Sequence, residues 1–89
     1  RRRCEYLAEE LYSFDFLSPS EQSEITKMYS YLCRHFGIEQ ENTARRLSSL
    51  IKRGIAYHHA GMLPTLKEVI ERQFTSRLLK IIFTTETFA

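Results

Sequence analysis

The chain has little of what several protein classes depend on: its 89 residues include no Trp, two Cys, two Pro and three Gly. Two cysteines cannot build the disulfide framework of a small secreted domain, and the glycines form no phosphate-binding loop of the Walker type. No run of about 18 apolar residues is present, so the sequence predicts no membrane-spanning helix. With 43% apolar and 27% charged residues, the composition indicates a globular protein.

The charge and cysteine usage indicate an ordinary intracellular protein. The formal net charge of +2 is too small to identify a partner, and the basic run Arg1–Arg3 is interpreted as a solvated helix start. Cys4 and Cys33 each fall at an apolar helical position, which predicts buried free thiols in a reducing compartment. No apolar signal segment follows the basic start, so we expect a cytoplasmic protein or, in a eukaryote, a nuclear one. Since the first residue is not Met, we expect the start to be a cut and not a native terminus.

Two helices are predicted in the first 37 residues. The apolar face of the first consists of Cys4, Leu7, Ala8 and Leu11. Ser18 and Glu21 form a capping box for the second, which begins at Pro19 and ends at Gly37. Its apolar stripe consists of Ile25, Met28, Tyr29, Leu32, Cys33 and Phe36.

A third helix follows. Its expected N-cap is Asn42 or Thr43, and it ends at Gly54. Lys52 and Arg53 are placed in the last turn, where cations suit the negative end of the helix dipole. Its apolar face consists of Ala44, Leu47, Leu50 and Ile51.

In the remainder of the chain the periodicity changes to that of an α/β protein. Residues 55–58 predict a strand, residues 59–62 a loop, Pro64 the start of a fourth helix, and residues 78–83 a nearly all-apolar strand. The apolar face of the helix consists of Leu66, Val69, Ile70 and Phe74. The fold class is therefore α/β, with a βαβ unit of about 30 residues (parallel strands near 55–58 and 78–84) preceded by a helical segment. Because two parallel strands do not form a stable sheet alone, we expect a piece of a larger domain.

The adjacent histidines His58 and His59 are the first candidates for chemistry. Neighbouring residues on a strand point to opposite faces, so the pair is poorly suited to one metal ion, and no third ligand follows at zinc-like spacing. No Ser occupies the strand-turn-helix elbow of a hydrolase. The residues by themselves therefore predict neither a metal centre nor a catalytic residue.

Two stretches resemble a known family. Residues 52–64 (KRGIAYHHAGMLP) and the helix after them closely resemble the Ski-like DExH-box RNA helicases of superfamily 2. Residues 79–89 (LKIIFTTETFA) look like the start of their motif V. Both stretches belong to the second RecA-like domain of these motors, the helicase C-terminal domain. The resemblance thus makes residues 1–89 a partial domain of this kind, with residues 12–53 as a helical insertion within it.

The resemblance implies that the chain is part of a motor that uses ATP to move along single-stranded RNA. It places Gly61 beside an RNA phosphate and Lys67 and Thr85 in contact with the RNA backbone. Glu86 and Thr87 would couple that contact to the ATP cleft. The implied partners are RNA, the first RecA-like domain of the parent chain and an RNA-degrading complex, with no membrane among them. His59 is expected to order the loop through hydrogen bonds.

The resemblance also implies ATP and Mg²⁺ as cofactors of the parent protein. The phosphate loop, the DExH box and the arginines of motif VI are not among these 89 residues, so we expect this chain alone to bind no cofactor and hydrolyse no ATP. A DNA-repair helicase of the same superfamily stays an alternative, because backbone contacts do not distinguish RNA from DNA. The other alternative is a stand-alone interaction module, in which residues 1–53 pack over the strands and present a surface to a protein partner.

Overall fold

The protein is described here by a computed structural model over residues 2–10 and 16–85, without the side chains of residues 2, 9 and 10. In these residues the elements follow one another as α1 (Arg2–Glu10), α2 (Pro19–His35), α3 (Asn42–Ile51), β1 (Ile55–His58), α4 (Pro64–Thr75) and β2 (Ile81–Thr84). The strands pair in parallel, in a register that runs from Ile55↔Ile81 to His58↔Thr84. The predicted mixed α/β class and the parallel pairing are confirmed. None of the helices in the described residues is both long and apolar enough to cross a membrane.

Helix α2 begins and ends as its sequence predicts. The Ser18 hydroxyl accepts a hydrogen bond from the Glu21 amide at 3.3 Å, and the Glu21 carboxylate accepts one from the Ser18 amide at 3.0 Å. This is the predicted capping box, with Pro19 as the first helical residue. At the other end Gly37 adopts a left-handed φ of 69°, and the Ile38 amide donates to the helix carbonyl of residue 33. This bond satisfies one of the carbonyl groups in the last turn of the helix.

The predicted caps of α3, Asn42 and Thr43, are wrong by one and two residues. Glu41 is the N-cap, and its carboxylate accepts a hydrogen bond from the Ala44 amide at 2.9 Å. Asn42 and Thr43 lie inside the helix instead. The Glu41 carboxylate can cap the helix because it accepts the amide hydrogen bond and its negative charge lies at the positive end of the helix dipole.

Two further element boundaries differ from the prediction. α3 ends before residues 52–53, so the two basic residues lie beyond the helix and not in its last turn. β2 begins at Ile81, and residues 78–80 connect it to α4. The strand starts there because its partner Ile55 is the first residue of β1, and the preceding Gly54 turns the chain away with a φ of 85°. The apolar side chains of Leu78 and Leu79 therefore do not extend the strand.

In the described residues, the apolar faces predicted for the helices meet in one core, with β1 buried along its whole length at the centre. Leu11, the last residue predicted for the face of the first helix, lies outside the described residues. α1 and α3 pack on β1, α2 packs on α3 and α4, and α1 also contacts β2. One predicted core position is wrong: Phe74 is 44% exposed, whereas Gln73 is fully buried. Gln73 lies on the same helical face as Val69 and Ile70, and its amide donates to the Ile25 carbonyl at 3.0 Å. That hydrogen bond satisfies the amide nitrogen, whereas the amide oxygen is buried without a hydrogen-bond partner in the described residues.

Strand β2 is less covered than its sequence indicates. Ile81, Ile82 and Phe83 are each partly exposed. An apolar strand of this kind is typical of a sheet that is covered on both faces, and the described residues cover β2 incompletely.

The prediction of buried free thiols is confirmed for Cys4 and Cys33. Burial raises the pKa of the Cys33 thiol above its ordinary value. Cys33 therefore acts as a small core residue and not as a reactive thiolate.

Candidate nucleic-acid interface

Two of the predicted contact residues lie at the same edge of the sheet. His58 ends β1 and Thr84 ends β2, and these residues are register partners. Gly61 lies in the loop after β1, and Thr85 directly follows β2. The Thr85 amide donates to the His58 carbonyl at 3.3 Å, which keeps Thr85 beside the first strand. Gly61 and Thr85 are both exposed, and each follows the carboxyl end of one of the paired strands.

Helix α4 begins at this edge and carries the third residue, Lys67. Pro64 is the first helical residue, and the N-cap Leu63 forms no side-chain cap. Lys67 lies at the end of the first turn, where its amide donates to the Leu63 carbonyl at 3.0 Å. Its half-buried side chain lines a shallow cavity that also includes Glu68 and Glu71. The cation is therefore close to the helix start and shares its surroundings with two carboxylates and the guanidinium group of Arg72.

His59 holds the loop after β1 in place. Its imidazole is 5% exposed and stacks on the Tyr57 ring, with the centroids 5.9 Å apart and the planes inclined by 3°. Nδ1 accepts a hydrogen bond from the Gly61 amide at 3.2 Å, and Nε2 lies 2.8 Å from the Glu5 carboxylate. Because a nitrogen that accepts carries no proton, the ring proton is on Nε2 and is donated to Glu5. The prediction that His59 orders the loop through hydrogen bonds is confirmed.

His58 faces the other side of β1. Its Nε2 lies 3.1 Å from the Glu71 carboxylate on α4, whereas His59 meets Glu5 on α1. The adjacent imidazoles therefore point in opposite directions, as the geometry of a strand requires. Among the side chains that the structure describes, which do not include those of residues 9 and 10, no three His, Cys, Asp or Glu are grouped so that they can hold a metal ion.

Helix α1 is anchored at the same edge by Cys4. Its thiol donates to the Phe83 carbonyl at 2.8 Å and lies 3.9 Å from the His58 carbonyl. α1 is thus tied to the carboxyl ends of both strands, and the next residue in the chain, Glu5, reaches His59.

Glu5 and Glu71 are the hydrogen-bonding partners of the two histidines that the sequence did not predict. Glu5 lies 54 residues before His59, and Glu71 lies 13 residues after His58. No periodicity relates residues at these separations. The signal that was present is chemical: a histidine on a buried strand needs a polar partner, and the helices on the two faces supply carboxylates.

The two residues assigned to ATP coupling, Glu86 and Thr87, lie outside the described residues.

Comparison with known proteins identifies the family to which this sequence is related. Over its full length the chain is 41% identical to Superkiller complex protein 2 of Mus musculus. It is also 41% identical, over 97% of its length, to the DExH-box ATP-dependent RNA helicase DExH11 of Arabidopsis thaliana. The identity to the Exosome RNA helicase MTR4 of Homo sapiens is 35% over the full chain. No protein-family model matches.

The chain spans only 7%, 6% and 9% of the length of these three relatives. The resemblance is nevertheless confirmed, because the similarity extends over all or nearly all of the chain. The chain is related over its full length to a segment of the Ski-like DExH-box RNA helicases.

Proposed function

We propose that the chain is part of an ATP-dependent RNA helicase and contributes contacts to the backbone of single-stranded RNA. The observation that carries this proposal is the convergence of the Gly61 loop, the start of α4 and Thr85 at one sheet edge, in a chain related to RNA helicases. The βαβ unit then belongs to the second RecA-like domain of the parent protein, with residues 12–53 as a helical insertion. The partial exposure of β2 supports further cover of that strand in the parent.

Each proposed contact uses a different property of its residue. Gly61 has no side chain and is exposed, so a phosphate can approach the loop backbone closely. Its amide is already bonded to His59, and its contribution is therefore space and not a hydrogen bond to RNA. The Thr85 hydroxyl and the Lys67 ammonium supply the donors, and the positive end of α4 adds attraction for an anion.

The ATP-dependent part of the proposal concerns the parent protein. ATP and Mg²⁺ would lie between its two RecA-like domains, with Glu86 and Thr87 linking the RNA contacts to that cleft. The names of two relatives refer to a superkiller complex and an exosome. These names support an RNA-degrading complex as the partner of an intracellular parent.

Fluorescence anisotropy tests the RNA contact directly. The chain is titrated into a fluorescein-labelled oligouridylate and, separately, into an oligothymidylate of the same length. We expect binding to the oligouridylate that weakens as salt rises, because phosphate contacts release counterions. Tighter binding to the oligothymidylate would favour a DNA helicase. The absence of salt-dependent binding to either strand would contradict the proposal and favour an interaction module.

A further inference from the structure

We propose that Glu5 is a positioning residue for the loop that carries Gly61. By keeping the proton of His59 on Nε2, it leaves Nδ1 available to accept the Gly61 amide. The loop then has one fixed shape at the sheet edge. The hydrogen bonds that run from Glu5 through His59 to Gly61 are called the relay below. The inference rests on the proposed function only where it concerns RNA, since the relay is a property of the chain itself.

The relay is continuous from helix to loop. The Glu5 carboxylate lies 2.8 Å from His59 Nε2, and Nδ1 of the same ring lies 3.2 Å from the Gly61 nitrogen. A neutral imidazole carries a single proton, which either nitrogen can hold. A carboxylate beside Nε2 selects the form in which that nitrogen is the donor. Without Glu5 the form with the proton on Nδ1 becomes populated, and that proton points at the Gly61 N–H, which cannot accept it.

Packing and hydrogen bonds fix the position of the His59 ring and of the helix that carries Glu5. The His59 ring is stacked on Tyr57, and Cys4 ties the helix that carries Glu5 to the ends of both strands. Further along the loop Met62 is buried, and its amide donates to the His59 carbonyl at 3.1 Å. Residues 60–61 are therefore an exposed bridge between two buried anchors. Their conformation depends on Glu5, which comes from a helix remote in sequence.

The tautomer of His59 is the direct test. Long-range proton–nitrogen NMR correlation on the histidine-labelled chain shows which ring nitrogen carries the proton. We expect the Nε2-protonated form for His59 in the wild type and a mixture of both forms in Glu5→Ala. Glu5→Gln is expected to retain the wild-type form, because its amide carbonyl still accepts from Nε2. The matched control Glu71→Ala removes the equivalent partner of His58 and should leave the His59 signals unchanged.

Binding to the fluorescein-labelled oligouridylate tests the consequence. We expect Glu5→Ala to bind about threefold to tenfold more weakly, the effect of roughly one net hydrogen bond. Simple electrostatics predicts the opposite sign, because removal of a negative charge strengthens the attraction of RNA. Glu71→Ala removes the same charge and should bind at least as tightly as the wild type. Glu5→Gln is expected to combine the same charge loss with a retained relay, so it should not bind more weakly.

The outcomes separate the relay from the RNA proposal. A mixture of tautomers at His59 in the wild-type chain overturns the relay, whatever the variants show. The same conclusion holds if the mixture arises because the wild-type chain does not fold. Unweakened RNA binding by Glu5→Ala overturns the positioning role. If the wild-type chain shows the expected tautomer but binds no RNA, the relay stands and the proposed function fails.

Discussion

His58 and Thr84 are register partners at the last position of the two parallel strands. Their pairing brings the loop after β1 and the residue after β2 to the same surface. A strand slip of one residue would turn every side chain of β2 to the other face of the sheet and separate this pair. The candidate interface thus depends on the register as much as on the residues that line it.

Lys67 is expected to contribute one phosphate contact. Replacement by Ala should weaken oligouridylate binding and reduce the slope of log affinity against log salt by about 0.7, the value for one contact to a single strand. The control is Lys52→Ala, which removes an exposed lysine before β1, at the opposite end of the strand. Salt-titrated anisotropy measures both slopes. An equal loss for Lys52 and Lys67 would indicate nonspecific attraction and contradict a defined contact.

Glycine is required at position 54 for two reasons that a matched pair of variants separates. Gly37 and Gly54 both have left-handed backbone angles, so Ala at either position costs about 1–2 kcal/mol of conformational strain. At Gly54 the added methyl group would also lie 3.2 Å from Cγ of the buried Leu17, whereas at Gly37 nothing lies within 4 Å. Urea denaturation should therefore show a larger loss of unfolding free energy for Gly54→Ala than for Gly37→Ala. Equal losses would mean that only the backbone angle matters.

Stability is expected to fall in alkali because of two buried acidic groups. Burial raises the pKa of the Tyr29 hydroxyl above its ordinary value of 10.0 and that of the Cys33 thiol above 9.0. At a pH above these ordinary values the unfolded chain releases protons that the folded chain retains, so the free energy of unfolding decreases as pH rises. At a pH below these ordinary values both groups stay protonated in the folded and the unfolded chain, so their contribution to the free energy of unfolding is complete. The urea midpoint should be constant between about pH 7 and 8.5 and lower near pH 10.5.

Tyr29→Phe is the control for this pH dependence. The Tyr29 hydroxyl donates to the Ala44 carbonyl, so the variant should be less stable at neutral pH. Its further loss in alkali should nevertheless be smaller than in the wild type, since one of the two titrating groups is gone. An unchanged alkaline decrease would assign the effect to other residues.

The isolated chain is expected to turn over no ATP. A sensitive phosphate-release assay with and without oligouridylate measures this, with the parent helicase as the positive control. RNA-stimulated turnover by the chain alone would refute the assignment of the ATPase motifs to other parts of the parent.

Much of the fold follows from short-range patterns. Ser18 and Glu21 specify the start of α2 because their groups are close in any helix that begins there. The change from helical to strand periodicity after Gly54 predicts the βαβ unit, and parallel pairing then requires Gly61 and Thr85 to share an edge. The family similarity also resides in the sequence and needs no coordinates. What Gly61, Lys67 and Thr85 contact stays a prediction.

Only the tertiary structure decided which polar groups meet. The periodicity of α4 allows both Gln73 and Phe74 on the inner face. The rotation of the packed helix buries Gln73, and its amide donates a hydrogen bond to the Ile25 carbonyl. Glu5 and His59 are far apart in the chain, and nothing local to either residue specifies the other. Helical and strand propensities act over a few residues, whereas such pairings depend on how whole elements pack. The sequence by itself therefore determined the elements, their order and the family, and the packing of α1 on the strand ends determined how the loop is held.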